Sequence, residues 1–381
     1  MNVVVRNYYL NILSMCGEIA SLRAGAHAPA APTTAGDELR RMISDGLIRY
    51  HRHQDRKRTF RICDPAGFEK VGQIDERLLD HAELLVGKKG ARYSGSKAYR
   101  LKKRKEAELM FGLANAGIAV DGMRLNKDRS VDILSPSLTQ AETIMKSMAQ
   151  YAPFFISGAV LRHKENASSH LRREMSISTG TLFSAGGIYT TFVISSDRFR
   201  WYAASETSSA NDIIRTYEDA LDIDRRKDGR FRAILYTSTT KVAAELLQIA
   251  EKPGHKMNPL GIFKLSYISP LEDKEHAADI TRMLTIPDWR RKADRILGCE
   301  PDSKYDGETP DGKHIHNLLC CNISKVLDVR PDVKKGRCRL IIHDWQKPIL
   351  EDIYGTDIDA IILEAKHFRG LLLTMMSKRE P

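Results

Sequence analysis

Apolar positions in the first part of the chain recur near a 3.6-residue period, then switch to a period of two. Tyr9, Leu10, Leu13 and Cys16 line one face of a helix expected over 6–16, and Gly17 interrupts it. Residues 18–23 have the pattern of a second short helix, and 24–35, rich in Ala, Pro and Thr, read as a loop ending in a Thr33-Thr34 helix start. Leu39, Met42 and Ile43 place the next helix over 34–45, with Arg40, Arg41 and Ser44 largely off that face and Gly46 as its left-handed stop. Residues 47–52 and 59–63 then alternate as two strands around a turn at 54–57, and Asp64 caps a helix to 71. The expected order is helix, helix, helix, hairpin, helix.

The pattern changes twice more. Residues 76–150 are expected to be mostly helical, with Ala107, Leu109, Met110, Leu113 and Ala114 as the buried stripe of a helix over 96–117 and with 126–137 as a linker. From 151 onward, strand-like and helix-like runs alternate. Strands are expected at 153–160, 188–195, 199–203, 232–236, 262–268, 315–321, 338–343 and 359–363. Helices are expected at 209–222, 239–251, 272–285, 287–297 and 345–353, and 300–313 reads as an exposed loop. The fold class is α+β, mixed, in three units: 1–75, a basic helical segment with linker over 76–150, and an α/β domain with a mixed sheet over 151–381.

Composition narrows the function classes. Hydrophobic residues at 42% and charged residues at 29% are those of a globular chain, which excludes wholesale disorder. No run reaches the ~18 apolar residues of a membrane span, and the N-terminus lacks the pattern of a signal peptide. The six scattered cysteines suggest reduced thiols and a cytoplasmic location. The net charge of +11 is unevenly placed: residues 1–130 hold 24 Lys/Arg against 15 Asp/Glu, and 131–381 hold 36 against 34. Within 88–105 there are nine Lys/Arg and no acid, with Tyr93 and Tyr99 between them. A basic patch on one module is the footprint of a polyanion partner, although a solvated lysine-rich face would show the same bias.

The string from Asp37 to Lys70 resembles the recognition helix and wing of winged helix-turn-helix proteins. Met42 to Gly46, Leu47-Ile48 and Asp55-Arg56-Lys57-Arg58 are similar to the helix end and basic hairpin of the multiple-antibiotic-resistance regulators, with Asp64-Pro65-Ala66-Gly67 in place of the usual Thr-led cap. Such a module followed by a basic helical segment and an α/β domain also resembles the replication-relaxation proteins of Gram-positive plasmids and integrative conjugative elements. The resemblance implies double-stranded DNA as partner and a role in the replication, transfer or transcriptional control of a mobile element. Base contacts would come from Thr34, Arg40, Arg41 and Ser44, since a helix fits the major groove. Phosphate contacts would come from Arg49, Arg52, Arg56, Lys57 and Arg58 and from the clamp Lys97, Arg100, Lys102, Lys103 and Arg104. A homodimer or an assembly with other transfer or replication proteins stays open, because no helix shows a heptad seam.

Three constellations in 151–381 bear on chemistry. His314-Ile315-His316 resembles the metal-binding strand of single-strand nicking enzymes, with Tyr354 as the matching nucleophile, although a plain strand leaving a loop has the same pattern. Asp352, Glu364 and Lys366 approach the Asp…Glu-x-Lys set of restriction-like nucleases, although an acid-capped strand with a solvated end accounts for them better. Cys320, Cys321 and Cys338 lack zinc-ligand spacing and read as buried thiols. No phosphate loop occurs, so no nucleotide cofactor, catalytic residue or metal ligand is assigned. The alternatives to DNA binding alone are a metal-dependent nickase or nuclease and a protein-interaction scaffold.

Overall fold

The computed structural model describes residues 2–20, 29–52, 58–63, 66–78, 97–135, 141–151, 153–161, 178–195, 232–251, 263, 265–299 and 305–377. The chain is a mixed α+β protein with a three-stranded, an eight-stranded and a four-stranded sheet. The expected turn at 54–57, strand at 199–203 and helix at 209–222 lie outside the described residues.

The first sheet joins β1 (Ile19–Ala20), β3 (Arg58–Ile62) and β2 (Ile48–Arg52) in the order β1-β3-β2, antiparallel throughout. Three helices pack around it: α1 (Val3–Cys16), α2 (Pro32–Ser44) and α3 (Ala66–Ile74). Ile19 corrects the expectation of a helix over 18–23. It pairs with Phe60 as strand, because the Glu18 carboxylate before it must point inward to Arg61.

The α4 helix (Lys97–Asn115) connects this module to the rest. It packs on α1 and on α8 (Lys274–Leu284) and covers one face of the large sheet. Buried residues run right round it from Lys103 to Ala114, including Lys103, Arg104, Glu106 and Glu108. A helix buried on every side is the core of a larger assembly rather than a solvated arm.

The large sheet has the order β11-β10-β9-β8-β7-β4-β5-β6. The strands β7 (Phe154–Ser157), β8 (Gly180–Ser184) and β9 (Gly187–Ile194) form an antiparallel meander, and β10 (Arg232–Thr237) and β11 (Leu265–Pro270) continue parallel to β9. Alternate residues serve opposite faces: Ile234 and Tyr236 join the core under α4, while Ala233 and Leu235 join the core under α7 (Thr240–Ala250). Covered on both faces, these strands read as continuous apolar runs.

The other end of the sheet overturns the linker at 126–137. There β4 (Ala119–Val120), β5 (Met123–Leu125) and β6 (Val131–Ile133) form two successive hairpins, and β4 pairs parallel to β7. Asp121 and Gly122 sit at φ +43° and +80°, the positive dihedrals of a two-residue hairpin turn. The stretch from Ala119 to Ile133 is therefore strand and turn, and the sheet runs continuously across position 150. Strand β8 was not expected either, since its sequence Gly-Thr-Leu-Phe-Ser lacks an alternating face.

The four-stranded sheet has the order β12-β13-β14-β15, from Gly307–Glu308, His314–Asn317, Cys338–His343 and Ala360–Leu363. The last three strands are parallel, with α10 (Ile323–Asp328), α11 (Arg330–Lys334) and α12 (Gln346–Tyr354) in the crossovers. The terminal helix α13 (Ala365–Ser377) returns onto α8. Three hydrophobic cores pack the described residues, and two of them join β9–β11 to β14 without a break.

Glu18 is fully buried and accepts two hydrogen bonds from Arg61, at 3.1 and 2.7 Å, while Arg104 of α4 lies 3.5 Å from its other oxygen. Removing the carboxylate would strand two buried guanidinium groups, which costs about 3–5 kcal/mol for such networks. Glu18→Ala should therefore lower the unfolding free energy by roughly that amount. Chemical denaturation followed by circular dichroism would test this, and a loss under ~1 kcal/mol would show that the triad does not hold the module in place.

Candidate nucleic-acid interface

Helix α2 presents the residues expected to face DNA. Ala35, Leu39 and Met42 turn into the core, which leaves Thr34, Arg40, Arg41 and Ser44 exposed. Pro32 opens the helix where a missing N–H costs nothing. At the other end Leu47 N donates to Met42 O (2.9 Å) and Gly46 N to Ile43 O (3.0 Å), with Gly46 at φ +70°. That double bond pattern is a Schellman stop, and it delivers the chain directly into β2. Arg40 pairs with Asp37, and Arg41 lies 3.6 Å from the buried Glu38, which in turn accepts from Asn2 N at 2.9 Å.

The hairpin follows in the register Ile48↔Ile62 to Arg52↔Arg58. Arg49, Tyr50, Arg52 and Arg58 are exposed, while Phe60 and Ile62 face inward. Tyr50 lies against Phe60 at 4.7 Å between ring centroids. Arg56 and Lys57, at the turn, lie outside the described residues.

The clamp is placed differently. Lys97 and Arg100 belong to the first turn of α4, and their side chains lie outside the described structure. Lys103 and Arg104 are buried: Lys103 donates to Glu106 at 2.6 Å, and Arg104 faces Glu18. Lys102 is half-buried, 3.6 Å from the same Glu106. The acid-free run ends at Lys105, and the two glutamates just beyond it, Glu106 and Glu108, fold back as i,i+3 and i,i+4 partners. Counting charge along the sequence misses this neutralisation.

The C-terminal candidates are dispersed. His314 and His316 stand on β13 with ring nitrogens 3.8 and 3.6 Å from Asp332, and Tyr305 stacks on His314 at 3.6 Å. Among the described residues no three His, Cys, Asp or Glu side chains are grouped to hold a metal. Tyr354 is buried, and its hydroxyl donates to Val326 O at 2.8 Å; burial pushes its pKa well above the ordinary phenol value. Asp352 is exposed on α12 and accepts from Gln248 at 3.0 Å, whereas Glu364, between β15 and α13, and Lys366, in the first turn of α13, are both exposed. Among the described residues no contact joins Asp352 to that pair. Cys320, Cys321 and Cys338 are buried, and burial raises each thiol, Cys321 to about 12 and Cys338 to about 11.

One polar centre had no sequence signal. Asp306, almost fully buried, accepts from Arg290 (Nε, 2.8 Å), from Lys325 and from Asn317 N (2.6 Å). The Asn317 amide donates to Asp294 at 2.7 Å, its backbone oxygen accepts from Lys325 at 2.9 Å, and its side-chain oxygen accepts from Leu319 N at 3.1 Å. Burial pushes Asp306 upward, but Lys325 and Arg290 outweigh it and hold the carboxyl below its usual value. Burial pulls Lys325 down to about 8 and pushes Asp294 up to about 6. With every polar atom of Asn317 committed, the network fastens α9 (Trp289–Ile296) to β13 and α10.

The raised Asp294 pKa has a defined consequence for stability. Its contribution is full below the unfolded carboxyl value of ~3.9 and is lost as pH rises through about 6. Asp294→Asn keeps the acceptor for Asn317 and carries no charge. The variant should gain about 1–2 kcal/mol over the natural chain at pH 7.5 and little at pH 4.5. Thermal melts across that range would test this, and a pH-independent difference would refute it.

No family model, curated protein or solved structure matches this chain.

Proposed function

We propose that the chain binds double-stranded DNA through its N-terminal module, read as a winged helix: α2 enters the major groove and the β2–β3 hairpin lies against the backbone. The observation that carries this reading is the direct passage from an α2 face bearing exposed Thr34, Arg40, Arg41 and Ser44 into a hairpin bearing exposed Arg49, Arg52 and Arg58. The strand order β1-β3-β2 supports it, because β2 is the outer edge of a small sheet whose middle strand, β3, anchors in the core. Arginine suits such a surface, since its planar fork matches phosphate oxygens and guanine edges. A role in the replication, transfer or transcription of a mobile element follows from the sequence resemblance and belongs to the same proposal.

The buried ion pairs of Lys103 and Arg104 remove those two side chains from the interface. If six to eight phosphates are neutralised, log K should fall with log salt at a slope of roughly −5 to −7. Arg52→Ala with Arg58→Ala should reduce the steepness by about two across all duplexes, whereas Arg41→Ala should cost about 1–3 kcal/mol on a selected cognate site alone. Fluorescence anisotropy on full-length protein, first with a random duplex and then with a selected site, measures both. Absence of duplex binding at ~0.1 M salt would exclude the proposal and favour a protein-interaction scaffold.

A further inference from the structure

A groove of about 450 Å³ opens where the C-terminal end of α4, the β5–β6 turn, α8 and α13 meet. Five cations line it: Lys127 and Arg129 from the turn, Lys274 and Arg282 from α8, and Arg369 from α13. Its two carboxylates, Asp279 and Glu275, are both engaged by Arg369, at 2.8 and 3.4 Å. Among the described residues, Lys127, Arg129 and Arg282 have no carboxylate within ion-pair reach. Like charges brought together in a recess repel one another, and an anion between them relieves that repulsion.

The turn that presents two of these cations is rigid. Asn126 N donates to Ser130 O at 2.9 Å, Arg129 N donates to Asn126 O at 3.0 Å, and Asp128 accepts from both the backbone and the hydroxyl of Ser130. Arg129 sits at φ +66°, a left-handed conformation that glycine or asparagine adopts at less cost. The chain keeps an arginine where the backbone favours glycine, and the exposed guanidinium stands at the mouth of the groove. Pro29, three residues before α2 begins, lines the same groove, so the cations adjoin the segment that leads into the proposed reading helix.

We propose that this groove is a second DNA-backbone site, taking phosphodiester groups of the duplex held by α2 and the hairpin. The proposal rests on the DNA-binding reading above. Within the basic run of α4, Lys103, Arg104 and Lys105 pair with glutamates, whereas the cations of the groove come together only on folding. Arginine at three of the five positions suits bidentate phosphate contact, and Arg369 stays fixed by its carboxylates.

The test titrates full-length protein against one labelled 30-bp random duplex over ~50–200 mM salt. It compares the natural chain, a groove variant (Arg129→Gly with Arg282→Gln) and a hairpin variant (Arg52→Ala with Arg58→Ala). The groove variant should bind at least tenfold more weakly, with a salt slope shallower by about two. Its melting temperature should not fall, because glycine relieves the left-handed strain. Should it melt early, Lys127→Glu on the exposed turn gives the same reading. Natural affinity and slope in the groove variant, with loss in the hairpin variant, overturn the groove and leave the hairpin reading standing. The reverse pattern removes the hairpin from the interface and overturns both the hairpin reading and the groove as a second site on the same duplex. If the groove variant leaves duplex binding intact but abolishes binding of ATP or of anionic phospholipid vesicles, the anion is not DNA and the proposal falls.

Discussion

A single carboxylate, Glu18, holds three elements distant in sequence in one arrangement. It stands between α1 and β1, receives Arg61 from β3 and faces Arg104 from α4. Two arginines are carried into the core on this one anion, and an ion pair at such depth persists only when its geometry is tight. The small three-stranded sheet is thereby fastened to α4, and α4 to the large sheet. The angle at which α2 and the hairpin leave the molecule follows from that fastening, so the outward-facing arginines depend on an inward-facing one on the next strand over.

The other consequence concerns charge. Positive residues concentrate in the first third of the chain, and several of them are paired inside the fold: Arg61 and Arg104 with Glu18, Lys103 with Glu106, Lys105 with Glu108. Among the described residues, exposed cations stand on α2, on the hairpin and around the groove beside Pro29. A uniform basic surface would attract any polyanion. Cations grouped on particular elements restrict where a stiff anionic rod can lie.

The C-terminal half uses its reactive-looking side chains for construction. Tyr354 caps a carbonyl, and Asp306 gathers Arg290, Lys325 and Asn317 into a joint between α9 and β13. His343 lies wholly in the core, its Nε2 2.8 Å from Leu319 O, and burial pulls its pKa to about 3, which keeps the ring neutral. His276 meets that ring edge-on at 4.3 Å, and burial lowers its pKa too. Perturbed titrations mark functional sites only when a cleft and an open coordination position accompany them. Around His343 the neighbouring partners are backbone carbonyls and packed aromatic rings.

The sequence by itself determined the elements whose signals are local. The periodicity of Leu39 and Met42, the Gly46 stop and the alternation around Phe60 are encoded within a few residues, and α2, β2 and β3 form where those signals lie. The Asp121-Gly122 turn was equally local, and it would have exposed the hairpins hidden in the apparent linker. Only the tertiary structure decided the rest. Whether Lys103 and Arg104 face water depends on Glu106 one turn away and on Glu18 more than eighty positions upstream, and no spacing rule predicts the second contact. The groove's cations come from three segments spread over more than two hundred residues, and Asp306 finds Arg290 and Lys325 through a strand and two helices. Helices and turns are written in nearest-neighbour geometry. The sign and exposure of a charge are settled by which distant carboxylate the fold brings beside it.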